Sequence, residues 1–368
     1  MKNLEHMSTN NEDDFDIVDF CKRHLRVPSW INERSQVYKA KELHGLVKAI
    51  IPIFKEEPTL AVLSPPCTIV GDIHGQYRDL IRILNQGHHS EIKKMSRDQK
   101  MMGYTNNRFM FLGDFIDRGP HSLECICLVF SLKVIYPQQY MLLRGNHETK
   151  SINYAYGFRE ELVNKLGEKE GLDVFNHFNE AFAWMPLAGL VGSKILCMHG
   201  GISPHLNSLE DIINIKRPLI EVENNTLECD LLWSDPLNSE NIHVVHDKPQ
   251  YLPNSLRGLS VAFNEEAVRE VVKKLNIHTI VRAHQVQDFG FKFYADKKLV
   301  TIFSAPRYML EMNNLGAFLR VLENGAISIV IMKARPIETI GKDGKEDKKK
   351  KKDKQEKPRS IMRTATAL

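Results

Sequence analysis

Features that would place a sequence in a special structural class are scarce in this chain of 368 residues. Its 6 cysteines form no CxxC pair and have no regular spacing, which excludes a disulfide framework and favours reduced thiols in a cytoplasmic or nuclear protein. No apolar run approaches the length of a membrane span, so we expect no membrane association. The polar, acidic stretch Asn10–Asp14 argues against a secretory signal peptide.

A strong charge of either sign is also missing from most of the chain. The net charge of +4 comes from the C-terminal region, where Lys342–Leu368 contains 11 Lys and Arg against 5 Asp and Glu. The remaining residues have 39 basic against 41 acidic side chains, so the body lacks the basic surface typical of a nucleic-acid groove. We therefore expect no nucleic-acid partner.

Hydrophobic content and breaker residues divide the chain into three parts. Residues 1–14 are polar and predict a disordered segment, and residues 337–368 form a Lys-rich tail without core residues. Residues 15–336 have the composition of one folded catalytic domain. Apolar spacing predicts helices within 15–54 and amphipathic helices at 77–84, 123–134 and 158–166, alternating with short strands, whereas 87–107 reads as a surface loop. This alternation predicts a layered α/β fold.

Short apolar runs that end in Asp, His, Asn or Arg recur along the body. Buried strands of this kind, followed by glycine-rich loops, would place polar groups along one edge of a sheet. The runs and the clusters that follow them are Thr68–Val70 with GDIHG, Phe109–Leu112 with GDFIDRG, Met141–Leu143 with RGNHE, Ile195–Met198 with HGG, Thr279–Val281 with RAH, and Val300–Phe303 with SAPRY.

The clusters contain candidate ligands for two divalent metal ions. Carboxylate, amide and imidazole ligands without thiolates suit Mn, Fe or Zn. Asp114 can bridge two ions through its two oxygens. Grouped by type, the candidates form one site of Asp72, His74 and Asp114 and a second site of Asp114, Asn146, His199 and His284. Two such ions generate a hydroxide that attacks a phosphate in line and neutralise the phosphate oxygens.

Other residues in the same motifs are candidates for proton transfer and phosphate binding. His147, beside Asn146, is the candidate general acid for the departing alkoxide, and Asp117 is its candidate orienting partner. Arg118 and Arg257 are candidate phosphate clamps, because a guanidinium group matches phosphate oxygens bidentately.

Taken together, the motifs resemble the phosphoprotein phosphatase family of metal-dependent serine/threonine phosphatases. GDIHGQ, GDFIDRG, LRGNHE, HGG, LLWSDP, RG-x-S, RAHQ and FSAPRY occur in the order of that family over about residues 67–333. The stretches SLECICL, YGFREE and RAHQVQDFG most resemble the type-1 catalytic subunit. We therefore interpret the chain as a divergent type-1-like enzyme.

The resemblance implies a metallophosphoesterase-type β-sandwich flanked by helices, with the metals at the strand ends. It supports the roles assigned above and adds Asn146 and Tyr308 as phosphate-side groups and Asp235 as a residue of the active-site groove. It implies phosphoprotein substrates and regulatory subunits that bind a groove near Ile195, Phe293 and Val300.

The sequence departs from the family pattern in the loop expected over the site. Arg307 stands where the family usually has Asn, and Met309 and Leu310 stand where it has Cys-Gly. Because this loop is altered, a noncatalytic binding scaffold remains an alternative interpretation of the chain. A second alternative is a dinucleoside-polyphosphate hydrolase, since enzymes of that class share the GD-x-HG, GD-x-x-DRG and GNHE motifs. The LLWSDP, RG-x-S and SAPRY elements farther along the chain argue against this alternative.

Overall fold

The computed structural model describes residues 15–25, 36–86, 107–237 and 247–334. The predicted terminal segments 1–14 and 337–368, the predicted boundary at 336 and nearly all of the predicted surface loop lie outside these ranges. Within them, the helices are α1 Ile17–Leu25, α2 Ala40–Glu56, α3 Tyr77–Gln86, α4 Ser122–Ile135, α5 Lys150–Ala155, α6 Phe158–Leu166, α7 Glu168–Phe182, α8 Leu209–Ile213, α9 Leu227–Trp233 and α10 Glu265–Lys274.

The strands of the described residues form three sheets. They are β1 Leu60–Leu63, β2 Cys67–Val70, β3 Phe109–Phe111, β4 Tyr140–Leu142, β5 Ala188–Val191, β6 Ile195–Met198, β7 Asp235–Pro236, β8 Tyr251–Pro253, β9 Val261–Phe263, β10 Thr279–Arg282, β11 Phe291–Tyr294, β12 Leu299–Ile302, β13 Gly316–Val321 and β14 Ile327–Met332. The six-stranded sheet has the order β1-β5-β6-β10-β12-β11, the five-stranded sheet β14-β13-β2-β3-β4, and the three-stranded sheet β7-β9-β8.

Two of these sheets pack face to face, which confirms the predicted sandwich. Ile69 and Met110 of the five-stranded sheet share one buried apolar cluster with Cys197 and Val281 of the six-stranded sheet. Strands β2, β6 and β10 are buried at every position, because a second layer covers each face of their sheets. Because both faces are buried, the sequences of these strands are continuously apolar and do not alternate between apolar and polar residues.

Helices cover the outer faces of both sheets. One apolar cluster joins the five-stranded sheet to residues of α1, α2, α4 and α7, and another joins the six-stranded sheet to α9 and α10. Helix α10 shows how local sequence supports this layer: Asn264 accepts a hydrogen bond from the Ala267 N–H, Glu265 and Glu266 occupy the first turn, and Lys273 lies in the last. These charges complement the helix dipole.

The structure corrects one helix prediction. Helix α6 spans the predicted residues and buries Phe158 and Leu162 on one side, but α4 is not amphipathic. Its side chains are buried on every face from Ser122 to Lys133, because the helix lies between the five-stranded sheet and helices α1 and α2. A helix surrounded by protein needs no polar stripe.

The described residues also show where the cysteines lie and how apolar the helices are. All six cysteines are buried and unpaired, as expected of reduced core thiols. None of the helices in the described ranges is both long and apolar enough to cross a membrane.

Candidate active site

The clusters that follow the apolar runs meet where the two packed sheets end. Asp72, Asp114 and Asn146 follow β2, β3 and β4 of the five-stranded sheet, whereas His199 and His284 follow β6 and β10 of the six-stranded sheet. An isolated parallel bridge between Asp72 and Phe303 joins the two strand ends. The prediction of one sheet edge was therefore wrong, because the groups face each other from two sheets.

His74 presents one ring nitrogen to two carboxylates. Its Nδ1 lies 2.9 Å from the carbonyl oxygen of Ile116 and donates a hydrogen bond to it, so Nε2 keeps its lone pair. That Nε2 lies 3.4 Å from Asp114 Oδ2 and 3.7 Å from Asp72 Oδ2. The first predicted ligand group is therefore brought together, with all three side chains buried.

The second predicted ligand group has the same arrangement. His199 Nδ1 donates to the carbonyl oxygen of Leu112 at 2.9 Å, which leaves Nε2 facing Asn146 Oδ1 at 2.8 Å and Asp114 Oδ2 at 3.3 Å. His284 Nδ1 lies 2.9 Å from the same Asn146 oxygen. Lone pairs thus converge without enough donors between them, and a cation fits this set of atoms.

Burial and neighbouring charges shift the titration of these groups. Burial opposes ionisation of Asp114, but His199 and His147 outweigh it and hold the pKa of Asp114 well below its ordinary value. Burial, together with the nearby His147, lowers the pKa of His74 to about 3. Asp114 is therefore ionised and His74 is neutral, which is the protonation state that metal ligation requires of these two side chains. Burial opposes protonation of His199, but Asp114 and Asp72 outweigh it and raise the pKa of His199 above its ordinary value, so a cation bound here would take the place of that proton.

His147 and Asp117 form a hydrogen-bonded pair beside this cluster. His147 Nδ1 donates to Asp117 Oδ2 at 2.6 Å, and the other oxygen of Asp117 accepts from the Phe158 N–H at 2.8 Å. Burial disfavours protonated His147, yet Asp114 and Asp117 together raise its pKa above the ordinary value. The ring is therefore fixed in orientation with Nε2 left available.

Two arginines line the cleft that contains these groups. Arg257 Nε donates to Asp235 Oδ2 at 2.9 Å, and its Nη2 donates to the carbonyl oxygen of His284 at 3.2 Å. The guanidinium carbon of Arg118 lies 4.1 Å from the centre of the Tyr156 ring, a cation–π geometry. Both side chains are therefore held at the cleft by specific contacts.

Tyr308 and the altered loop cover another part of the cleft. The Tyr308 ring lies 5.0 Å from the His74 ring, measured between centroids. Arg307, Met309 and Leu310 all have left-handed backbone, with φ of +51°, +54° and +63°. This conformation favours Asn and Gly, so these substitutions strain the backbone they occupy.

The cleft itself is open and has a volume of about 700 Å³. Its lining includes Asp72, Asp114, Asn146 and His284, together with the candidate acid and both arginines. The predicted phosphate-side group Tyr308 also lines it. A group the size of a phosphorylated side chain can therefore approach all of the predicted residue types at once.

Sequence reasoning missed one buried support of the site, Glu148, and placed another, Asp235, at the surface of the groove. Glu148 accepts hydrogen bonds from the N–H groups of Asp114, Phe115 and Gly145, at 2.8, 2.9 and 2.9 Å. Asp235 was expected to line the groove, but it lies beneath the groove and also accepts from Arg282 Nη2 at 3.0 Å. Both residues stand inside quoted motifs, and no local spacing reveals their tertiary contacts.

Residues 65–288 match the family model described as calcineurin-like phosphoesterase. The chain is 39% identical over 325 residues to "Serine/threonine-protein phosphatase PP1-delta" of Caenorhabditis elegans, covering 87% of this chain and 96% of that protein. It is also 39% identical over 300 residues to "Serine/threonine-protein phosphatase C23G10.1" of the same organism, covering 81% of this chain and 60% of that longer protein.

The fold is similar to a solved structure as well. A Saccharomyces cerevisiae protein serine/threonine phosphatase, described as similar to human phosphatase PP5, superposes with a TM-score of 0.68 and 27% identity. The match covers 81% of this chain and 91% of that one. The chain belongs to the calcineurin-like phosphoesterase family and, within it, to the metal-dependent serine/threonine protein phosphatases.

Proposed function

We propose that this enzyme hydrolyses phosphoserine and phosphothreonine through two divalent metal ions held at the ends of the two packed sheets. The observation that supports this most directly is the convergence of lone pairs from both sheets on one cleft. We assign one ion to Asp72, His74 and Asp114 and the other to Asp114, Asn146, His199 and His284.

The donor set fits Mn, Fe or Zn better than a hard cation that needs only oxygen ligands. When bound, two such ions supply Lewis-acid activation of water and neutralise charge on the phosphate oxygens. The protein holds Asp114 between the two groups: its Oδ2 lies 3.4 Å from His74 Nε2 and 3.3 Å from His199 Nε2. This position supports Asp114 as the residue that would contact both ions.

His147 acts in this proposal as the general acid. Its Nδ1 proton is directed to Asp117, so Nε2 is the atom that gives a proton to the departing Ser or Thr oxygen. Arg118 and Arg257 bind the nonbridging phosphate oxygens, and Tyr308 packs beside the phosphate. The cation–π contact with Tyr156 and the hydrogen bond to Asp235 orient the two guanidinium groups.

The test is hydrolysis of a phosphothreonine peptide in Mn²⁺ by wild type, Asp114→Asn and His147→Ala. We expect wild-type turnover and a loss of about 10²–10⁴-fold in His147→Ala, the range for removal of a general acid. Asp173→Asn and His177→Ala change the same residue types on α7, outside the cleft, and both should retain activity.

The alternatives predict different results in the same experiment. Faster turnover of diadenosine tetraphosphate than of the phosphopeptide would identify a dinucleoside-polyphosphate hydrolase. No turnover by folded, metal-loaded wild type would point to the altered loop from Arg307 to Leu310 and favour a binding scaffold.

We also propose that regulatory proteins bind near Ile195, Phe293 and Val300. Phe293 is 40% exposed, whereas Ile195 and Val300 are almost fully buried, so an incoming side chain would contact mainly the phenyl ring. A basic-hydrophobic peptide should bind wild type more tightly than Phe293→Ala. Failure of that peptide to bind wild type at high micromolar concentration would contradict the proposal.

A further inference from the structure

Two helices of the outer layer bring a pair of histidines and an aspartate together away from the cleft. His44 lies on α2, and Asp173 and His177 lie four residues apart on α7, a spacing that places both side chains on one side of the helix. One nitrogen or oxygen atom from each of the three side chains lies within 4.8 Å of the other two. None of the three residues lines the cleft, so the proposed hydrolysis does not use them.

The packing between α2 and α7 holds this cluster in place. Leu43, Val174 and Phe178, each adjacent in sequence to one of the three residues, are buried in the same apolar cluster. The core therefore fixes where the three side chains begin. The side chains themselves are 32%, 59% and 41% exposed, in chain order, so an ion can reach them from solvent and they can rotate without disturbing the core.

The polar atoms of the cluster already lie close together. His44 Nε2 lies 3.0 Å from Asp173 Oδ2, and the rings of His44 and His177 have centroids 4.4 Å apart. His177 Nδ1 donates a hydrogen bond to the carbonyl oxygen of Asp173 at 2.9 Å, which leaves the lone pair on Nε2. Histidines that bind metal ions commonly donate their other ring proton to such a carbonyl oxygen.

This set of atoms fits a zinc ion. Zinc sites with three protein ligands use imidazole nitrogens and a carboxylate, and water occupies the fourth position. Ligand atoms around one tetrahedral zinc ion lie about 3.4 Å apart, given bonds of about 2.0–2.1 Å. The contact between His44 and Asp173 is already near that separation, and a small rotation of the exposed side chains brings His177 to it.

The other charges close to the cluster are mixed in sign. Three lysines and two glutamates stand within one helical turn of it: Lys41, Lys48, Lys169, Glu170 and Glu180. All five are exposed, so solvent and salt screen what each contributes. Together with the carboxylate inside the cluster, they leave neither sign in excess, and a cation can approach without net repulsion.

We propose that His44, Asp173 and His177 form a peripheral zinc site that links α2 to α7. His44 coordinates through Nε2 as the tautomer protonated on Nδ1, so the ion takes the place of its hydrogen bond to Asp173. A bound ion that bridges two helices binds the folded chain and adds to its stability. The site is separate from the two ions of the cleft and does not depend on the proposed phosphatase function.

Zinc counting tests the inference on the full chain. Mn²⁺-loaded protein is dialysed against a buffered series of free Zn²⁺ concentrations, and bound zinc is measured by mass spectrometry. Wild type should bind one zinc ion more than the double variant His44→Ala with His177→Ala, since the cleft contributes equally to both. Asp173→Asn keeps both imidazoles and should bind this ion about tenfold or more weakly.

His205→Ala is the matched control. It removes another exposed histidine, whose Nε2 faces Asn225 Oδ1 at 3.4 Å, and it should bind as much zinc as wild type. Zn²⁺ should also raise the urea midpoint of wild type and of His205→Ala more than that of the double variant. Equal zinc content in wild type and the double variant, the same loss in His205→Ala, or unchanged affinity in Asp173→Asn would overturn the inference.

Discussion

Asp235 connects the cleft to the interior, and its replacement by Asn tests how the buried arginines are held. One of its oxygens accepts a hydrogen bond from Arg282 Nη2 at 3.0 Å, and the other accepts from Arg257 Nε at 2.9 Å. Arg282 is fully buried, and burial lowers its pKa to about 10 although Asp235 opposes the shift. Asp235→Asn would remove the only carboxylate that is hydrogen-bonded to the buried Arg282 among the described residues.

The size of the effect follows from the geometry. Removing one partner of a buried ion pair destabilises a protein by about 3–5 kcal/mol. Arg282 keeps hydrogen bonds to the carbonyl oxygen of Ser234 and to Gln285 Oε1, at 3.1 and 3.0 Å, so we expect the lower end, about 3 kcal/mol. The amide nitrogen of Asn would also face an arginine N–H, and neither of these groups can accept a hydrogen bond.

Asp230→Asn is the matched control. Asp230 is equally buried, but its oxygens accept from the hydroxyls of Ser203 and Ser260, both at 2.6 Å. A hydroxyl can rotate and accept from the new amide, so the expected loss is about 1 kcal/mol. The assay is urea unfolding at fixed protein and Mn²⁺ concentration, because bound metal adds to the apparent stability.

A double variant completes the test. Asp235→Leu with Arg282→Met removes both charges and should recover most of the lost free energy of unfolding. Asp235→Asn should also lower kcat/KM, because Arg257 loses the carboxylate that orients it. The reasoning is refuted if Asp235→Asn is no less stable than Asp230→Asn, or if the double variant is as unstable as Asp235→Asn alone.

Four further changes have defined outcomes. Burial lowers the pKa of His24 to about 4, so the stability that neutral His24 contributes is present above pH 6.5 and is lost as the pH falls towards 4. Between pH 6.5 and 5, the free energy of unfolding measured in urea should fall by about 2 kcal/mol more in wild type than in His24→Gln. Tyr156→Leu should raise KM about two- to tenfold by releasing Arg118, whereas Tyr156→Phe should not. Leu310→Gly relieves a left-handed Leu that is 78% exposed and should raise the free energy of unfolding by about 0.5–1 kcal/mol. Chelation of divalent ions should abolish turnover and lower the urea midpoint, and Mn²⁺ should restore both.

The sequence predicts the strands and their polar ends because burial on both faces leaves a local pattern. The run from Thr68 to Val70 is continuous and apolar, and the following glycine marks where the strand ends. Pairing between distant strands leaves no such local pattern, so the sequence could not show that Asp114 and His199 approach from different sheets. The error in α4 has a different cause, since apolar residues on every face of Ser122–Ile135 already indicate a helix buried on all sides and not an amphipathic one.

The backbone of the site explains why its supporting residues are the hardest to predict. His74, Asp114 and His284 have left-handed backbone, with φ of +45°, +53° and +68°. Each such residue costs up to about 1–2 kcal/mol, so the three together cost up to about 3–6 kcal/mol, a substantial part of the roughly 5–15 kcal/mol net stability of an ordinary domain. Glu148 opposes that strain at Asp114, because its carboxylate holds the Asp114 and Phe115 N–H groups in place from beneath. Residues whose chemistry is visible in a motif are thus positioned by buried acceptors such as Glu148, which are identified by the hydrogen bonds they accept in the folded chain.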